Sequence, residues 1–199
     1  YTEVVWDNNK TIKPVRVKTP NVYKASVKLI NQFMSGNLII EDYKGEPQKV
    51  EELYIFLNSV KGIKQVVDST NLKSNEVKIV CADTVRNKIV LDKFDVNNVT
   101  DPNAKVNFFT RKGFQGCNLF TNNGLIVVIS DGGKANTLVD IETTLYQIAG
   151  RLRSNDKFNN IFKQSIWHIY SNRRTVQSTE EFEEFLTSNI EETQTNQQE

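Results

Sequence analysis

The chain of 199 residues has few of the residue types that build metal sites, disulfides and membrane spans. It contains one histidine and two cysteines, and Cys81 and Cys117 do not form a Cys-x-x-Cys pair. A membrane-spanning helix needs a run of about 18 apolar residues, and the sequence has none. We therefore expect a protein without membrane partners, with reduced thiols and a cytoplasmic location.

The motifs of several enzyme classes are also missing. The sequence has no G-x-x-x-x-G-K-[ST] loop, no G-x-G-x-x-G, no G-x-S-x-G and no H-E-x-x-H. The single histidine, His168, lies in an apolar run typical of a strand, where core or edge histidines are far commoner than catalytic ones. A histidine-dependent triad or metal site is therefore not predicted.

The overall charge is close to neutral. A formal net charge of +1 gives no global electrostatic reason to bind nucleic acid, so any such contact has to be local. The length and the apolar content of 38% indicate one globular domain. The chain begins with neither methionine nor a signal-peptide pattern, so it looks like a piece of a longer protein.

The predicted domain spans 1–187 and has three parts. Lead-in strands and a helix occupy 1–50, a core that carries the motifs occupies 51–171, and a C-terminal helix occupies 172–187. Residues 188–199 are polar and rich in amides, so we expect a disordered tail there.

Short apolar runs alternate with helical patterns along the core. Runs rich in β-branched and aromatic residues predict strands. They lie at 4–6, 15–17, 53–57, 77–82, 88–91, 106–110, 125–130 and 166–170. Helices are predicted from Thr19 to Gly36, at 60–70, at 137–153 and from Ser178. This alternation predicts a three-layer α/β/α domain with a mostly parallel sheet.

A first candidate site follows the strand at 106–110. Thr110 ends the strand, and Gly113 and Gly116 follow in the next turn. A hydroxyl and unobstructed backbone N–H groups at one place suit a phosphate oxygen. A glycine-containing turn with no ligand explains the same pattern, and the local sequence leaves both interpretations open.

A second candidate site lies at the end of the predicted helix 137–153. Gln147 and Arg151 are four residues apart and so lie on one helical face, while Gly150 permits close approach. Arginine binds phosphate oxygens through a fork of N–H groups and keeps its charge. Solvated basic residues at a helix C-terminus, favoured by the helix dipole, are the alternative interpretation.

Three segments in order resemble motifs IV, V and VI of the second RecA-like lobe of superfamily 2 helicases. The segments are 53–60, 110–118 and 147–153. The resemblance therefore spans about residues 50 to 155, which is about half of the chain. Thr110 and Gly116 match motif V, T-x-x-x-x-x-G-x-D, at the family spacing, and Asn118 replaces its aspartate.

Motif VI has a less common form in this chain. Gln147, Gly150 and Arg151 match the family pattern Q-x-x-G-R-x-x-R. The last arginine comes one residue early, at Arg153, in an arrangement similar to the Q-x-x-G-R-x-R of viral origin-binding helicases.

The resemblance implies an ATP site shared between two lobes of one polypeptide. The first lobe, with the nucleotide loop, the acidic box and the Mg²⁺ ligands, has no counterpart in this sequence, so this lobe alone is expected to be inactive. Arg151 and Arg153 are implied to act as arginine fingers. Gln147, Gly150 and Gly116 are implied to line the ATP site with them.

The resemblance also implies contacts with nucleic acid. The implied ligands of a DNA or RNA phosphate backbone are Asn58, Ser59, Thr110, Arg111 and Gly113. Such contacts do not depend on base sequence.

Two other functional hypotheses fit the sequence. The chain could be a helicase-like lobe that serves as a nucleic-acid or protein interaction module without ATP turnover. It could also belong to an unrelated doubly wound enzyme that binds a small substrate at Asp131, Gly132 and Gly133, at the end of the strand 125–130.

Overall fold

The structure is a computed structural model that describes residues 13–114, 117–140, 144–163 and 165–172. The predicted strand at 4–6, the helix from Ser178, the tail and Gly116 lie outside the described residues. The strands are β1 (Lys13–Lys18), β2 (Ile39–Glu41), β3 (Pro47–Lys49), β4 (Glu52–Phe56), β5 (Val77–Val80), β6 (Val106–Phe109), β7 (Gly124–Ser130) and β8 (Ser165–Tyr170).

Four α-helices connect the strands in the described ranges. They are α1 (Val22–Met34), α2 (Val60–Asp68), α3 (Val85–Leu91) and α4 (Thr144–Ala149). Short 3-10 turns occupy Ser74–Glu76, Arg111–Gly113 and Ala135–Thr137. None of these helices has the length and apolar character to cross a bilayer.

Six strands form one parallel sheet in the order β1-β8-β7-β4-β6-β5. β2 and β3 form a separate antiparallel pair, which the sequence did not predict. Because all six strands run the same way, their carboxyl ends lie along one edge of the sheet.

Side chains alternate between the two faces of the sheet, and each face has its own cover. One face, here the helical face, carries Leu53, Ile55 and Phe108, which pack with residues of α1, α2 and α3. The opposite face, here the loop face, carries Phe56 and Phe109. Its cover comes from Phe114, Cys117, Leu119, Ile148 and Leu152. These three layers confirm the predicted α/β/α fold of the RecA-like type.

The prediction of a strand at 88–91 is wrong, because that segment belongs to α3. The helix begins after Thr84, whose side chain accepts a hydrogen bond of 3.2 Å from the backbone N–H of Asn87. Leu91 is the buried member of the helix. A short apolar run is compatible with either a strand or a helix, and the N-cap at Thr84 favours the helix here.

The predicted helix 137–153 is also wrong in its extent. Among its described residues, 137–140 and 144–153, the structure has the end of a 3-10 turn at the start and α-helix at Thr144–Ala149. Beyond the helix, the backbone N–H of Arg153 donates to the carbonyl of Leu119 at 2.9 Å. Leu119 in turn donates its N–H to the carbonyl of Arg151 at 3.0 Å. This pairing with another segment replaces the last helical turn.

The first helix is close to its predicted position. Its N-cap is Asn21 rather than Thr19, and the Asn21 side chain accepts a hydrogen bond of 3.0 Å from the N–H of Lys24. Gly36 adopts φ of 76°, the left-handed conformation predicted for the end of this helix.

The loop at 92–105, which the sequence did not place, wraps the edge strand β5. The buried ammonium of Lys78 donates to the carbonyls of Val99, at 2.8 Å, and Asp101. Asn97 accepts a hydrogen bond of 2.8 Å from the N–H of Ile79. These contacts tie the loop to the sheet edge.

Candidate functional site

Three loops meet at the carboxyl edge of the sheet because β6, β4 and β7 are neighbours. We call them the β4 loop (57–59), the β6 loop (110–114) and the β7 loop (131–137). They follow three parallel strands, so they open toward the same side. The β4 and β6 loops carry the predicted nucleic-acid ligands.

Asn58 joins the three loops. Its Nδ2 donates to the carbonyl of Asn136 at 2.7 Å, and its Oδ1 accepts from the N–H of Arg111 at 3.2 Å. Nδ2 of Asn136 donates back to the carbonyl of Asn58 at 2.7 Å. Both ends of the Asn58 amide therefore already bind protein groups in this arrangement.

Ser59 and Thr110 also have protein partners. The Ser59 hydroxyl caps α2 and accepts from the N–H of Gly62 at 3.1 Å. The buried Thr110 hydroxyl donates to the carbonyl of Val80 at 3.2 Å and so fastens the end of β6 to β5. Each hydroxyl therefore has a structural role beside the one implied by the resemblance.

The β6 loop has a buried glycine and two exposed basic residues. A Cβ on Gly113 would overlap Cδ1 of Phe109 and lie 3.1 Å from its Cβ. Glycine is therefore required here for close packing against a ring, a reason that needs no ligand. The side chains of Arg111 and Lys112 are exposed and basic, which suits contact with phosphates.

Motifs V and VI touch through Arg151. Its Nε donates to the carbonyl of Gln147 at 2.8 Å, and its Nη1 donates to the carbonyl of Cys117 at 3.3 Å. The parallel bridge between Leu119 and Leu152 continues this contact. The structure thus brings together two segments that are far apart in the sequence.

Arg153 differs from Arg151 in its surroundings. Arg151 is half-buried, whereas Arg153 is exposed, and its guanidinium has no hydrogen bond or ion pair with any described residue. Gln147 and Gly150 are exposed beside these arginines. Two arginines that look equivalent in the sequence are therefore unequal in the structure.

Cys117 stabilises the contact between motifs V and VI. Its thiol is buried and donates to the carbonyl of Gly113 at 2.9 Å. Burial raises the pKa of this thiol, and the nearby Arg151 only partly opposes that effect. The neutral thiol therefore remains a hydrogen-bond donor between the β6 loop and the segment that Arg151 binds.

The polar groups of the β7 loop form hydrogen bonds with one another and with neighbouring segments. Asp131 Oδ1 accepts from the N–H of Gly133 at 3.0 Å, and the N–H of Gly132 donates to the hydroxyl of Ser171 at 3.0 Å. The ammonium of Lys134 lies 3.8 Å from Asp131 Oδ2 and donates to the Tyr23 hydroxyl at 2.9 Å. The Asp131 carboxylate and the N–H groups of both glycines therefore have protein partners in this turn.

His168 lies in β8, and its side chain has no hydrogen bond or ion pair with a carboxylate of the described residues. Its Nε2 is 3.0 Å from the hydroxyl of Ser130, and burial lowers its pKa, with the charge of Arg16 adding to the effect. The described ranges contain no group of three or more His, Cys, Asp or Glu side chains placed to hold a metal ion.

Sequence reasoning missed Asn136. It lies in the polar run Lys134–Thr137, and its partner Asn58 is 78 residues away, so no local pattern marks the pair. No protein-family model, curated protein or solved structure matches this chain. The fold and the contacts of the described residues are therefore the basis for a functional proposal.

Proposed function

We propose that this chain is the second motor lobe of an ATP-dependent DNA or RNA helicase or translocase. The contact between motifs V and VI carries the proposal: Arg151 binds a carbonyl in each motif. It thereby joins the segment proposed to face ATP to the segment proposed to face nucleic acid. A motor needs such a connection, since nucleotide hydrolysis has to change the grip on the track. The parallel sheet and the order of the motifs along the chain also support it.

In this proposal, Arg153 is the arginine finger. ATP with Mg²⁺ binds in a cleft between this lobe and a first lobe of the same polypeptide, which supplies the Mg²⁺ ligands. The exposed guanidinium of Arg153 reaches the γ-phosphate and stabilises the charge that develops during phosphoryl transfer. Gln147, Gly150 and Gly116 line the same site.

Arg151 has a different role in the same site. Two of its N–H groups hold the carbonyls of Gln147 and Cys117, and a guanidinium has five such groups. The remaining groups stay available for a phosphate oxygen. Arg151 therefore fixes the position of motif VI and adds positive charge.

The loops at the carboxyl edge hold the phosphate backbone of one strand. Arg111 and Lys112 present exposed charge, and Thr110 and Gly113 set the shape of the turn that carries them. Binding through phosphates is independent of base sequence and weakens as salt increases. This local charge makes the near-neutral net charge compatible with nucleic-acid binding.

The test uses the polypeptide that joins this lobe to a first lobe with a Walker A loop. Arg153→Ala is expected to lower the kcat of nucleic-acid-stimulated ATP hydrolysis about 10³- to 10⁵-fold with the fold intact. Arg151→Lys keeps the charge but cannot donate to both carbonyls, so it should lower kcat less and also weaken the response to nucleic acid.

The matched control is Arg86→Ala, which removes an exposed arginine of α3 next to the helical face. It should leave ATP hydrolysis unchanged. Full activity in Arg151→Ala and Arg153→Ala would contradict the motor proposal. Nucleic-acid binding by a wild-type polypeptide that does not hydrolyse ATP would instead favour the interaction module.

A further inference from the structure

The β7 loop lies outside all three helicase-like motifs but holds the β6 loop in place through Asn58. We infer that Asn136 and Asn58 together position the Arg111–Gly113 turn for binding a nucleic-acid backbone. This inference rests on the proposed function, and it assigns a role to Asn136 that the motifs do not suggest.

The geometry fixes the orientation of the Asn58 amide. Its Oδ1 faces a backbone N–H, that of Arg111, and its Nδ2 faces a backbone carbonyl, that of Asn136. Exchanging the two atoms would oppose donor to donor and acceptor to acceptor. The reciprocal bond from Asn136 to the Asn58 carbonyl then holds the β4 loop from its other side.

The bond to Arg111 matters because it fixes the start of the turn. Two backbone hydrogen bonds close the end of the turn. The N–H of Gly113 donates to the carbonyl of Thr110 at 2.8 Å, and the N–H of Phe114 donates to the carbonyl of Arg111 at 3.1 Å. The Arg111 N–H itself is bound by Asn58. The asparagine pair therefore helps to set the direction in which Arg111 leaves the sheet, together with the bonds from Thr110 to Val80.

The β7 loop does not need the Asn136 side chain for its own fold. The Thr137 hydroxyl donates to the carbonyls of Asp131 and Lys134, at 3.1 and 2.8 Å, and accepts the N–H of Asp131 at 2.9 Å. Asn136 itself is exposed. Replacing its side chain removes the bond to the Asn58 carbonyl. It should therefore loosen the contact between Asn58 and Arg111 while the β7 loop stays folded.

The experiment compares Asn58→Ala, Asn136→Ala and the double variant in the two-lobe polypeptide. Asn58→Ala should raise the concentration of single-stranded oligonucleotide needed for half-maximal ATP hydrolysis roughly fivefold to tenfold. Asn136→Ala should raise it less, because the Asn58 side chain keeps its bond to the Arg111 N–H. The kcat at saturating oligonucleotide and the KM for ATP should stay near wild type. The double variant should lose no more than the larger single effect, because both residues act through one clamp.

A second measurement is independent of motor activity. Hydrogen exchange at the Arg111 backbone amide of the 199-residue chain should be faster in Asn136→Ala than in wild type, because the clamp protects that N–H. The control is Asn31→Ala, which removes an exposed asparagine of α1 whose side chain has no hydrogen bond to a described residue.

The outcomes separate the two proposals. Unchanged exchange at Arg111 in Asn136→Ala, or additive losses in the double variant, would overturn the clamp. Faster exchange with unchanged half-saturation would show that the clamp does not position a nucleic-acid contact. A wild-type polypeptide without nucleic-acid-stimulated hydrolysis would reject the proposed motor itself, and it would do so before any variant is compared.

Discussion

The two faces of the sheet differ in how they are covered. The helical face is covered by α1, α2 and α3, which are regular elements of 13, 9 and 7 residues. The loop face has the six-residue α4, and a parallel bridge between Leu119 and Leu152 completes its described cover. The residues proposed to bind ATP belong to the loop face.

The two faces therefore have different roles in one core: the helical face contributes stability, and the loop face carries the residues proposed to act on ATP. Helices bury long apolar stripes without needing exposed polar groups, so the helical face can be closed. Loops and helix ends leave backbone carbonyls without a partner in regular structure, and Arg151 binds one of each kind, that of Cys117 in a loop and that of Gln147 near the end of α4. The loop face thus has a less regular cover, and its segments leave polar and charged side chains such as Gln147 and Arg153 exposed.

The largest expected effect comes from Phe108 and Phe109, which are neighbours on β6 but point to opposite faces. Both are fully buried, so replacement of either by alanine should lower the free energy of unfolding by about 3 to 5 kcal/mol. Phe109 also stacks on Phe56, with ring centroids 5.2 Å apart, and supports Gly113. Denaturant unfolding of both variants measures the loss.

Phe109→Leu and Phe108→Leu distinguish the faces without removing the whole side chain. Since Phe109 contacts the β6 loop, its leucine variant should raise the half-saturating oligonucleotide concentration, whereas the Phe108 variant should not. Equal effects of the two leucine variants on oligonucleotide use would contradict the division of roles between the faces.

On the helical face, α1 and α2 were predictable from the sequence, whereas α3 was predicted in part as a strand. In α1, Val22, Leu29 and Phe33 recur at helical spacing, and Gly36 supplies the stop, so local chemistry determines the element. Local chemistry also predicted all six strands of the parallel sheet. It did not give their order, because pairing between strands depends on contacts between distant segments.

The sequence predicted which segments form the site, but it did not predict how these segments contact one another. The spacing of Thr110, Gln147 and Arg151 marked two motifs, yet the contact from Arg151 to Cys117 joins residues 34 positions apart. The helical spacing of apolar residues from 137 to 153 predicted a helix that is too long, because this spacing carries no information about the pairing of Leu152 with Leu119. Local patterns identified the residues, and tertiary pairing decided their geometry.

A smaller loss of stability is expected at Gly113, and a second glycine in a strand-end loop, Gly133, provides its control. Gly113→Ala should lower the free energy of unfolding by about 1 to 3 kcal/mol, because its Cβ would overlap the Phe109 ring. Gly133→Ala is the matched control, since its Cβ would meet Asp131 Oδ1 at an ordinary 3.4 Å. Its change should stay within about 0.5 kcal/mol in the same thermal or denaturant assay.

A rescue test checks the cause of the Gly113 effect. Combining Gly113→Ala with Phe109→Leu should cost less than the sum of the two single changes, because the smaller side chain relieves the overlap. Strict additivity would contradict the steric explanation.

The smallest expected effect is a pH dependence that comes from His168. Burial lowers its pKa in the folded state, so the unfolded chain binds the proton more tightly. The stabilisation is fully present above the unfolded pKa of about 6.5 and is lost as the pH falls through the lower, folded pKa. His168 is the one histidine in the sequence, so no other imidazole contributes in this window.

His168→Gln tests this dependence because glutamine keeps a polar group near the Ser130 hydroxyl but does not titrate. Denaturant unfolding of wild type should show a free energy that falls as pH drops below about 6.5, and the variant should show a flatter profile. The loss of stability arises at β8 and its neighbours, so Arg153, which lies outside β8, should not affect it. An identical slope in wild type and His168→Gln would mean that burial of His168 does not govern the acid sensitivity of the loop face.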